Sequence, residues 1–322
     1  MKAIRFEQIG GPEVLKFVDV ELAAPGPGQV RVRHTAIGVN FIDTYHRSGL
    51  YKLPLPSGLG SEAAGVVDAL GSGVTALNIG DRVAYAGALG AYSEANNVSA
   101  DKLVKLPAEV SDETAAAAML KGMTAQYLLM RTYTVNPGET ILFHSAAGGV
   151  GLIACQWAKH LGATVIGTVG HEDKRALAKA NGCDHVLNTR NTDWVKQVRE
   201  ITKGEGVPVV YDSVGKDTWS GSLDCLAVRG MMVSFGNSSG AVPAFEPGIL
   251  SAKGSLYVTR PTLASYTRNA IELQETADDL FAVIASGAVK IQINQRFKLA
   301  DAAKAHEALH SRQTTGATIL IP

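Results

Sequence analysis

The chain has 322 residues, 30 basic and 30 acidic side chains, and a formal net charge of zero. This length accommodates two hydrophobic cores, and the balanced charge gives no bulk field that would attract nucleic acid or an anionic membrane. The sequence has no signal-peptide pattern and no run that reaches the roughly 18 apolar residues of a membrane span. Three scattered cysteines form no disulfide framework and indicate a reducing compartment. We therefore expect a cytoplasmic protein.

The first 123 residues have the sequence pattern of a β-rich unit. Short β-type runs, separated by Pro- and Gly-rich turns, lie at 30–33, 64–69, 82–85 and 91–98. Runs of this length with such turns between them predict a compact all-β domain.

A glycine-rich loop follows at 144–151, with the sequence His-Ser-Ala-Ala-Gly-Gly-Val-Gly. An apolar strand at 140–143 leads into it, and an amphipathic helix that ends at Gly162 leads out of it. A lone glycine loop is often only a tight turn, but a strand before it and a helix after it are typical of a dinucleotide-binding site.

Three glycines of this loop have separate physical roles. Gly148 and Gly149 let backbone amides approach an anion, and Gly151 lets the helix pack closely on the strand. Since a helix N-terminus also adds positive potential, we expect a pyrophosphate here. Ala146 replaces the first glycine of the usual Gly-x-Gly-x-x-Gly pattern.

Strands and helices then alternate as far as residue 235. The predicted strands lie at 164–168, 185–187, 207–211 and 231–235, and the predicted helices at 173–180, 193–202 and 218–226. This alternation predicts a doubly wound parallel sheet with helices on both faces, a Rossmann domain of the α/β class. Ligands of such sheets bind at the carboxyl ends of the strands. Here those ends are small or polar, at 145–147, 169–171, 212–215 and 236–238.

The last 60 or so residues return to mixed elements. A helix is predicted at 263–286, a strand at 291–297, a short helix at 300–309 and a strand at 317–321. We expect this part to fold back onto the first unit. The predicted organisation is a catalytic domain at 1–123 completed by 261–322, with a nucleotide-binding domain at 124–260 inserted between them.

Several of these motifs together resemble one family. Gly138-Glu139, Leu142, the loop at 146–151, Gln156 and Lys159 are similar to the signature of the quinone oxidoreductase (zeta-crystallin-like) branch of the medium-chain dehydrogenases/reductases. The resemblance extends over essentially the whole chain. It implies a GroES-like catalytic domain, a Rossmann domain, a homodimer, and NADPH-dependent reduction of quinones or other electron-poor alkenes.

Zinc-dependent alcohol dehydrogenases of the same superfamily differ at two diagnostic positions. Ser61 stands where their Gly-His-Glu motif has its ligand histidine, and Asn40 stands where they have a ligand cysteine. The first cysteine of this chain is Cys155, so a four-cysteine lobe is also excluded before it. Zinc prefers thiolate and imidazole ligands, and we therefore expect no metal. Without a Lewis acid an alcohol is a poor substrate, whereas a quinone needs no such help.

Candidate substrate-binding groups cluster just after the strand at 30–38, namely Asn40, Asp43, Tyr45 and Tyr51. The resemblance places Asn40 near the nicotinamide and its ribose, and Tyr45 and Tyr51 beside the substrate cleft. A tyrosine can stack on a flat ring and donate its phenol proton. Two alternatives stay open, because Asp43 could only fix a turn and either tyrosine could be packing.

The cofactor residues also follow from the resemblance, together with the loop pattern. They are Thr124, Ala147, Gly148, Gly149, Val150, Gly170, Lys174, Ser213, Phe235, Gly236, Ser238, Thr259 and Arg312. One departure from the family is Thr189, where members commonly have a tyrosine beside the adenosine phosphate.

The end of the second strand predicts which nicotinamide cofactor is used. NAD-specific Rossmann domains have an acidic residue about 20 positions after the glycine loop, and here Val169 occupies that place. Gly170 leaves space, while Lys174 and Arg312 offer positive charge to a 2′-phosphate. The sequence therefore favours NADPH.

Two other functions share parts of this pattern. A reductase of enoyl thioesters would use the same cofactor residues but would need a longer, basic cleft. A crystallin-like or RNA-binding role is known among relatives of the family, but zero net charge and the lack of a basic-aromatic cluster weigh against nucleic acid as the primary ligand. We also expect the segment 254–260 to pair edge-to-edge with its counterpart in a two-fold dimer.

Overall fold

The computed structural model describes residues 1–191, 193–311 and 314–322. Within these ranges the strands are β1 (Lys2–Phe6), β2 (Lys16–Asp19), β3 (Gln29–Val39), β4 (Ser57–Gly58), β5 (Glu62–Leu70), β6 (Arg82–Ala86), β7 (Ala95–Ser99), β8 (Val104–Lys105), β9 (Thr140–Phe143), β10 (Thr164–Val169), β11 (His185–Asn188), β12 (Val207–Asp212), β13 (Leu226–Ser234), β14 (Tyr257–Thr259), β15 (Ile293–Lys298) and β16 (Ala317–Ile321). The α-helices are α1 (Phe41–Ser48), α2 (Asp112–Tyr127), α3 (Gly149–His160), α4 (Arg175–Ala180), α5 (Trp194–Ile201), α6 (Trp219–Cys225), α7 (Gly248–Ala252), α8 (Ala270–Ala285) and α9 (Ala302–His310). None of the described helices is both long enough and apolar enough to cross a bilayer.

One compact unit is built from both ends of the chain. It comprises Met1–Met123, Tyr266–Ala285 and Ile291–Pro322. Its main sheet has the order β15-β16-β3-β5-β6-β8, with β7 also paired to β3, and a smaller sheet has the order β2-β1-β4. The long strand β3 is central because β16, β5 and β7 all pair with it in antiparallel fashion. Valine, isoleucine and leucine side chains of these strands pack into one buried core.

The second unit comprises Thr124–Ser265 and Ser286–Lys290. Its six strands are all parallel and lie in the order β11-β10-β9-β12-β13-β14. Numbered from β9, this is the order 3-2-1-4-5-6 of a dinucleotide-binding sheet, whose ligand crevice lies where the order reverses, between β9 and β12. The predicted doubly wound parallel sheet is therefore confirmed.

The prediction of an all-β first unit was wrong in two places, because it omitted α1 and α2. The second of these helices contains the run Ala-Ala-Ala-Ala-Met-Leu and is buried on nearly all sides, so it has no polar face to reveal a helical period. Its start is nevertheless fixed locally, since the Ser111 hydroxyl accepts a hydrogen bond from the Thr114 amide at 3.1 Å.

The predicted helix at 263–286 begins seven residues later than expected, at Ala270. Asn269 explains the shift, because its side-chain oxygen accepts the backbone N–H of Glu272 at 2.9 Å and so caps the first turn. The strand predicted at 91–98 begins at Ala95. The residues before it bend instead, and the Tyr92 amide bonds to the Leu59 carbonyl at 2.8 Å.

Candidate functional site

The glycine-rich loop forms a tight turn between β9 and α3. The Gly148 amide donates to the Ser145 carbonyl at 2.9 Å, and Ser145 itself has a φ of 55°. A Cβ on Gly151 would lie 2.3 Å from the Ser145 oxygen and 2.7 Å from the Cα of Ala146. Both contacts are with backbone that cannot move aside, so glycine is required here. Since the first amides of a helix lack intrahelical acceptors, the start of α3 presents N–H groups at this edge of the sheet, an arrangement that favours anion binding.

A buried hydrogen-bonded chain ties the ends of three strands together beneath this loop. His144 Nδ1 lies 2.8 Å from Thr168 Oγ1, and His144 Nε2 lies 2.9 Å from Ser222 Oγ, which donates to Asp212 Oδ2 at 2.9 Å. Because Ser222 gives its proton to Asp212, the Nε2–H of His144 donates to Ser222 and its Nδ1 accepts from Thr168. Burial lowers the pKa of His144 and so favours this neutral form.

The Asp212 carboxylate also holds the loop that follows β12. Its Oδ1 accepts the amides of Val214 at 2.7 Å and Gly215 at 3.0 Å. This places Ser213 against the loop after β13, where the Ser238 amide donates to the Ser213 carbonyl at 3.1 Å.

The loop after β13 contains two further predicted cofactor residues, Phe235 and Gly236. A Cβ on Gly236 would lie 2.6 Å from the Ser213 oxygen, so the backbones of the two loops are in close contact at this point. The Phe235 ring packs at 5.8 Å from that of Phe143. Ser213, Phe235, Gly236 and Ser238 are thus brought together at the carboxyl edge of neighbouring strands, whereas Thr259 ends the outer strand β14.

The adenosine end of the predicted site begins at Val169, the last residue of β10. A Cβ on Gly170 would have no atom within 4 Å, so this position is open. Lys174 follows in a single 3-10 turn at Glu172–Lys174. The backbone amide of Thr189 donates to the Val169 carbonyl at 3.0 Å. Thr189, which replaces the tyrosine common in the family, therefore lies beside this strand end. Arg312 lies outside the described residues.

In the first unit, the predicted substrate residues are arranged around α1. Asn40 precedes this helix, and its backbone N–H donates to the Asp43 carboxylate at 2.9 Å. Its side-chain Nδ2 donates to Glu62 Oε2 at 2.8 Å. Gly38 permits this approach, since a Cβ there would lie 2.1 Å from Glu62 Oε2 and 2.3 Å from the Ala116 carbonyl oxygen.

Glu62 is a fully buried carboxylate with a buried cationic partner. Lys121 Nζ lies 3.0 Å from Glu62 Oε2, and their side chains are 7% and 0% exposed. The other oxygen, Oε1, accepts the backbone amide of Leu120 at 2.7 Å. The carboxylate next to the two zinc-ligand positions, Asn40 and Ser61, is therefore balanced by an ammonium group of the chain itself.

Three buried polar atoms in this region have no hydrogen-bond partner among the described residues, namely Asp43 Oδ1, His46 Nδ1 and Ser61 Oγ. Burial raises the pKa of Asp43 to about 7, against the lowering effect of its hydrogen bonds from Asn40 and Tyr92. The carboxyl group of Asp43 therefore changes its protonation state near neutral pH.

Tyr45 and Tyr51 form an aromatic pair at the end of α1. Their ring centroids are 5.3 Å apart with an edge-on interplanar angle of 67°, and the Tyr51 amide donates to the Tyr45 carbonyl at 3.1 Å. His46 lies 6.2 Å from the Tyr51 ring, and burial lowers its pKa. Both tyrosines are partly exposed.

The sequence patterns missed several buried polar residues of this unit. Lys121 had one available signal, since it is a lone charge in an apolar helical run and a buried lysine is rare unless it is paired. His306 also takes part in buried hydrogen bonds, with Arg47 and with Tyr92. His306 has no signal in the sequence, because its partners are more than 200 positions away. In the part of the chain that the structure describes, no group of three or more His, Cys, Asp or Glu residues is arranged to hold a metal ion.

These features define a class of protein, a two-unit α/β protein with a Rossmann nucleotide-binding sheet and a second, β-rich unit. Two family models match the chain. A "Zinc-binding dehydrogenase" model matches residues 149–282, and an "Alcohol dehydrogenase GroES-like domain" model matches residues 26–137.

Three relatives are similar over nearly their full length. This chain is 58% identical to the quinone oxidoreductase of Pseudomonas aeruginosa, and the alignment covers 100% of this chain and 99% of that protein. The crystal structure of Escherichia coli quinone oxidoreductase complexed with NADPH is 56% identical, with a TM-score of 0.98 and full coverage of both chains. A 2-haloacrylate reductase of a Burkholderia species is 48% identical over 97% of this chain and 96% of that protein. This chain belongs to the quinone oxidoreductase family of the medium-chain dehydrogenases/reductases.

Proposed function

We propose that this protein is an NADPH-dependent quinone reductase. The observation that carries the proposal is the full-length similarity to a quinone oxidoreductase solved with NADPH. It is supported by the 3-2-1-4-5-6 sheet with its glycine turn at 148–151. We propose further that 124–260 form the NADP-binding domain and that 1–123 with 261–322 form the catalytic domain. The two compact units support this division except at 261–265 and 286–290, which lie in the unit with the nucleotide-binding sheet.

The turn at the start of α3 would hold the cofactor pyrophosphate. Ala147, Gly149 and Val150 would supply backbone donors there without a charged side chain, and Gly148, whose own amide donates to Ser145, would leave room for the phosphates. The crevice between β9 and β12 would receive the nicotinamide half, bordered by the loops that contain Ser213 and Gly236. We assign Thr124, Phe235, Ser238 and Thr259 to the walls of the cofactor site, and Lys174 and Arg312 to the 2′-phosphate. NADPH, when bound, supplies the hydride.

The first unit would bind the electron acceptor. The partly exposed faces of Tyr45 and Tyr51 would stack on a flat quinone, and a tyrosine hydroxyl would donate a hydrogen bond to its oxygen. Asn40 would orient the nicotinamide, with its own side chain fixed by Glu62. Reduction of a quinone to a hydroquinone takes up one hydride and one proton, and positioning can supply much of the catalysis.

A second candidate activity is the reduction of electron-poor alkenes. The 48% identity to a 2-haloacrylate reductase supports it, since hydride addition to an activated double bond uses the same cofactor geometry. An enoyl-thioester reductase remains the other alternative, and a crystallin-like or RNA-binding role is the alternative of another class. Zero net charge supports a small-molecule ligand over nucleic acid as the primary ligand. Three buried free cysteines support a cytoplasmic location.

A steady-state screen tests the function. NADPH would be supplied with ortho-quinones, para-quinones, enones, haloacrylates and enoyl thioesters. We expect the highest kcat/KM with a quinone. In Tyr51→Phe, we expect kcat/KM for that quinone to fall about tenfold with little change in NADPH binding. A preference for thioesters would contradict the proposed substrate class, and equal rates of Tyr51→Phe and wild type on every acceptor would make Tyr51 a packing residue.

We propose that catalysis needs no zinc. The two zinc-ligand positions hold an amide and a hydroxyl, and the Glu62 carboxylate beside them is already paired with Lys121. We expect purified protein to contain far less than one zinc per chain and to keep full activity after treatment with a chelator. Elemental analysis that finds about one zinc per chain would overturn this proposal.

We also propose a homodimer formed through the segment 254–260. Strand β14 is an outer strand of the six-stranded sheet, and Tyr257 on it is 58% exposed. Pairing with the same strand of a second copy would cover the unpaired edge of β14 and the exposed Tyr257 side chain. Light scattering is expected to give twice the monomer mass at micromolar concentration, and Tyr257→Asp is expected to shift it toward monomer. A wild-type monomer would contradict the dimer.

A further inference from the structure

Four buried polar side chains of the first unit form a hydrogen-bonded chain, called the circuit below, that begins and ends on α1. Arg47 Nη1 lies 3.1 Å from His306 Nδ1, His306 Nε2 lies 3.0 Å from the Tyr92 hydroxyl, and that hydroxyl donates to Asp43 Oδ2 at 3.0 Å. Asp43 and Arg47 are both on α1, Tyr92 lies between β6 and β7, and His306 is on α9. All four residues are less than 5% exposed.

The direction of each hydrogen bond follows from the number of protons available. Tyr92 has one hydroxyl proton and gives it to Asp43, so the His306 Nε2–H donates to the Tyr92 oxygen. His306 Nδ1 then accepts from the Arg47 guanidinium. This arrangement requires a neutral imidazole. Burial, reinforced by the Arg47 charge, lowers the pKa of His306 to about 3 and keeps it neutral.

The circuit fixes α1 at two points one turn apart. Positions 43 and 47 lie on the same face of a helix. The Asp43 end is also held by the Asn40 amide, and the Arg47 end by the Gly10 carbonyl, which accepts from Nε at 3.2 Å. The Tyr92 and His306 rings meet edge-on at 5.7 Å, which fixes the middle of the circuit sterically as well. Rotation or translation of α1 would break these bonds inside a buried region, where unpaired polar groups are costly.

The aromatic pair depends on the same helix. Tyr45 lies between the two anchored positions, and Tyr51 is hydrogen-bonded to the Tyr45 backbone. We propose that Tyr92 and His306 are positioning residues for the electron acceptor, which hold Tyr45 and Tyr51 in place by locking α1. Neither residue needs to touch the acceptor. This inference rests on the proposed function for its kinetic consequence, but the locking of α1 can be measured without substrate.

His306 allows a matched pair of substitutions. His306→Leu removes both hydrogen bonds, whereas His306→Gln can still donate to Tyr92 and accept from Arg47. Tyr92→Phe keeps the ring and removes only the hydroxyl. His310→Leu is the control, because His310 is exposed on the same helix α9. For each variant, the experiment measures quinone KM and kcat, the NADPH dissociation constant, thermal unfolding, and amide hydrogen exchange of residues 41–48.

We expect His306→Leu and Tyr92→Phe to raise the quinone KM at least about fivefold, with kcat and NADPH affinity changed less than about twofold. Amide exchange of 41–48 should accelerate at least about tenfold, and His306→Gln should reverse most of both effects. If His306→Leu does not fold, Tyr92→Phe decides the result. A folded Tyr92→Phe with wild-type KM and wild-type exchange would overturn the proposal. Accelerated exchange in a protein that reduces no quinone would support the locking of α1 and contradict only the proposed function.

Discussion

Lys121→Met is expected to lower the free energy of unfolding by about 3–5 kcal/mol, the usual loss when one partner of a buried ion pair is removed. Methionine fills much of the same space, so packing changes little. The loss comes from Glu62, whose fully buried carboxylate would keep only the hydrogen bonds from Asn40 at 2.8 Å and Leu120 at 2.7 Å. Without a nearby cation, these two bonds do not offset the cost of burying the charge.

Chemical denaturation would measure the change, with two matched variants beside it. The double variant Glu62→Gln with Lys121→Met removes both charges and is expected to recover at least half of the loss. Lys196→Met breaks an exposed pair with Glu200, whose side chains are 77% and 63% exposed, and is expected to have no measurable effect. A Lys121→Met protein as stable as the wild type would show that the ion pair contributes little to stability.

The nucleotide-binding sheet was predictable because its signals are local. Each buried parallel strand is a short apolar run, and each following helix has an apolar face of period 3.6, so the elements separate cleanly in the sequence. The glycine turn adds a steric requirement at single positions. At position 151 only glycine fits, because a Cβ would lie 2.3 Å from the Ser145 carbonyl oxygen. The strand order and the family model that matches residues 149–282 agree with this part of the prediction.

The buried polar groups of the first unit were not predictable in the same way. His306 is 214 positions from Tyr92, and no local pattern relates two residues so far apart. Helix α2 was missed because burial on nearly every side removes the alternation that marks an amphipathic helix. Asp43 was recognised as a polar residue in the right place, but whether it fixes a turn or contacts other groups depended on tertiary structure. It does both, through the Asn40 amide and the Tyr92 hydroxyl.

The choice of cofactor follows from the end of β10. We expect kcat/KM with NADPH to exceed that with NADH by at least tenfold, a difference of about 1.4 kcal/mol in transition-state stabilisation. Val169 ends the strand without a carboxylate to repel a 2′-phosphate, and no atom lies within 4 Å of a Cβ on Gly170. Lys174 follows in the next turn, where its ammonium group would attract the phosphate.

Lys174→Ala is therefore expected to reduce the preference for NADPH, chiefly by raising the KM for NADPH. Lys179→Ala is the matched control, because Lys179 is exposed on the adjoining helix α4 and donates to the Asp184 carbonyl at 2.7 Å. Gly170→Asp should also lower the preference for NADPH, by adding a negative charge instead of removing a positive one. The open space there accepts the side chain, and its carboxylate would repel the 2′-phosphate and accept the 2′-hydroxyl of NADH. Equal use of the two cofactors by the wild type, or an unchanged preference in both Lys174→Ala and Gly170→Asp, would show that the 2′-phosphate binds elsewhere.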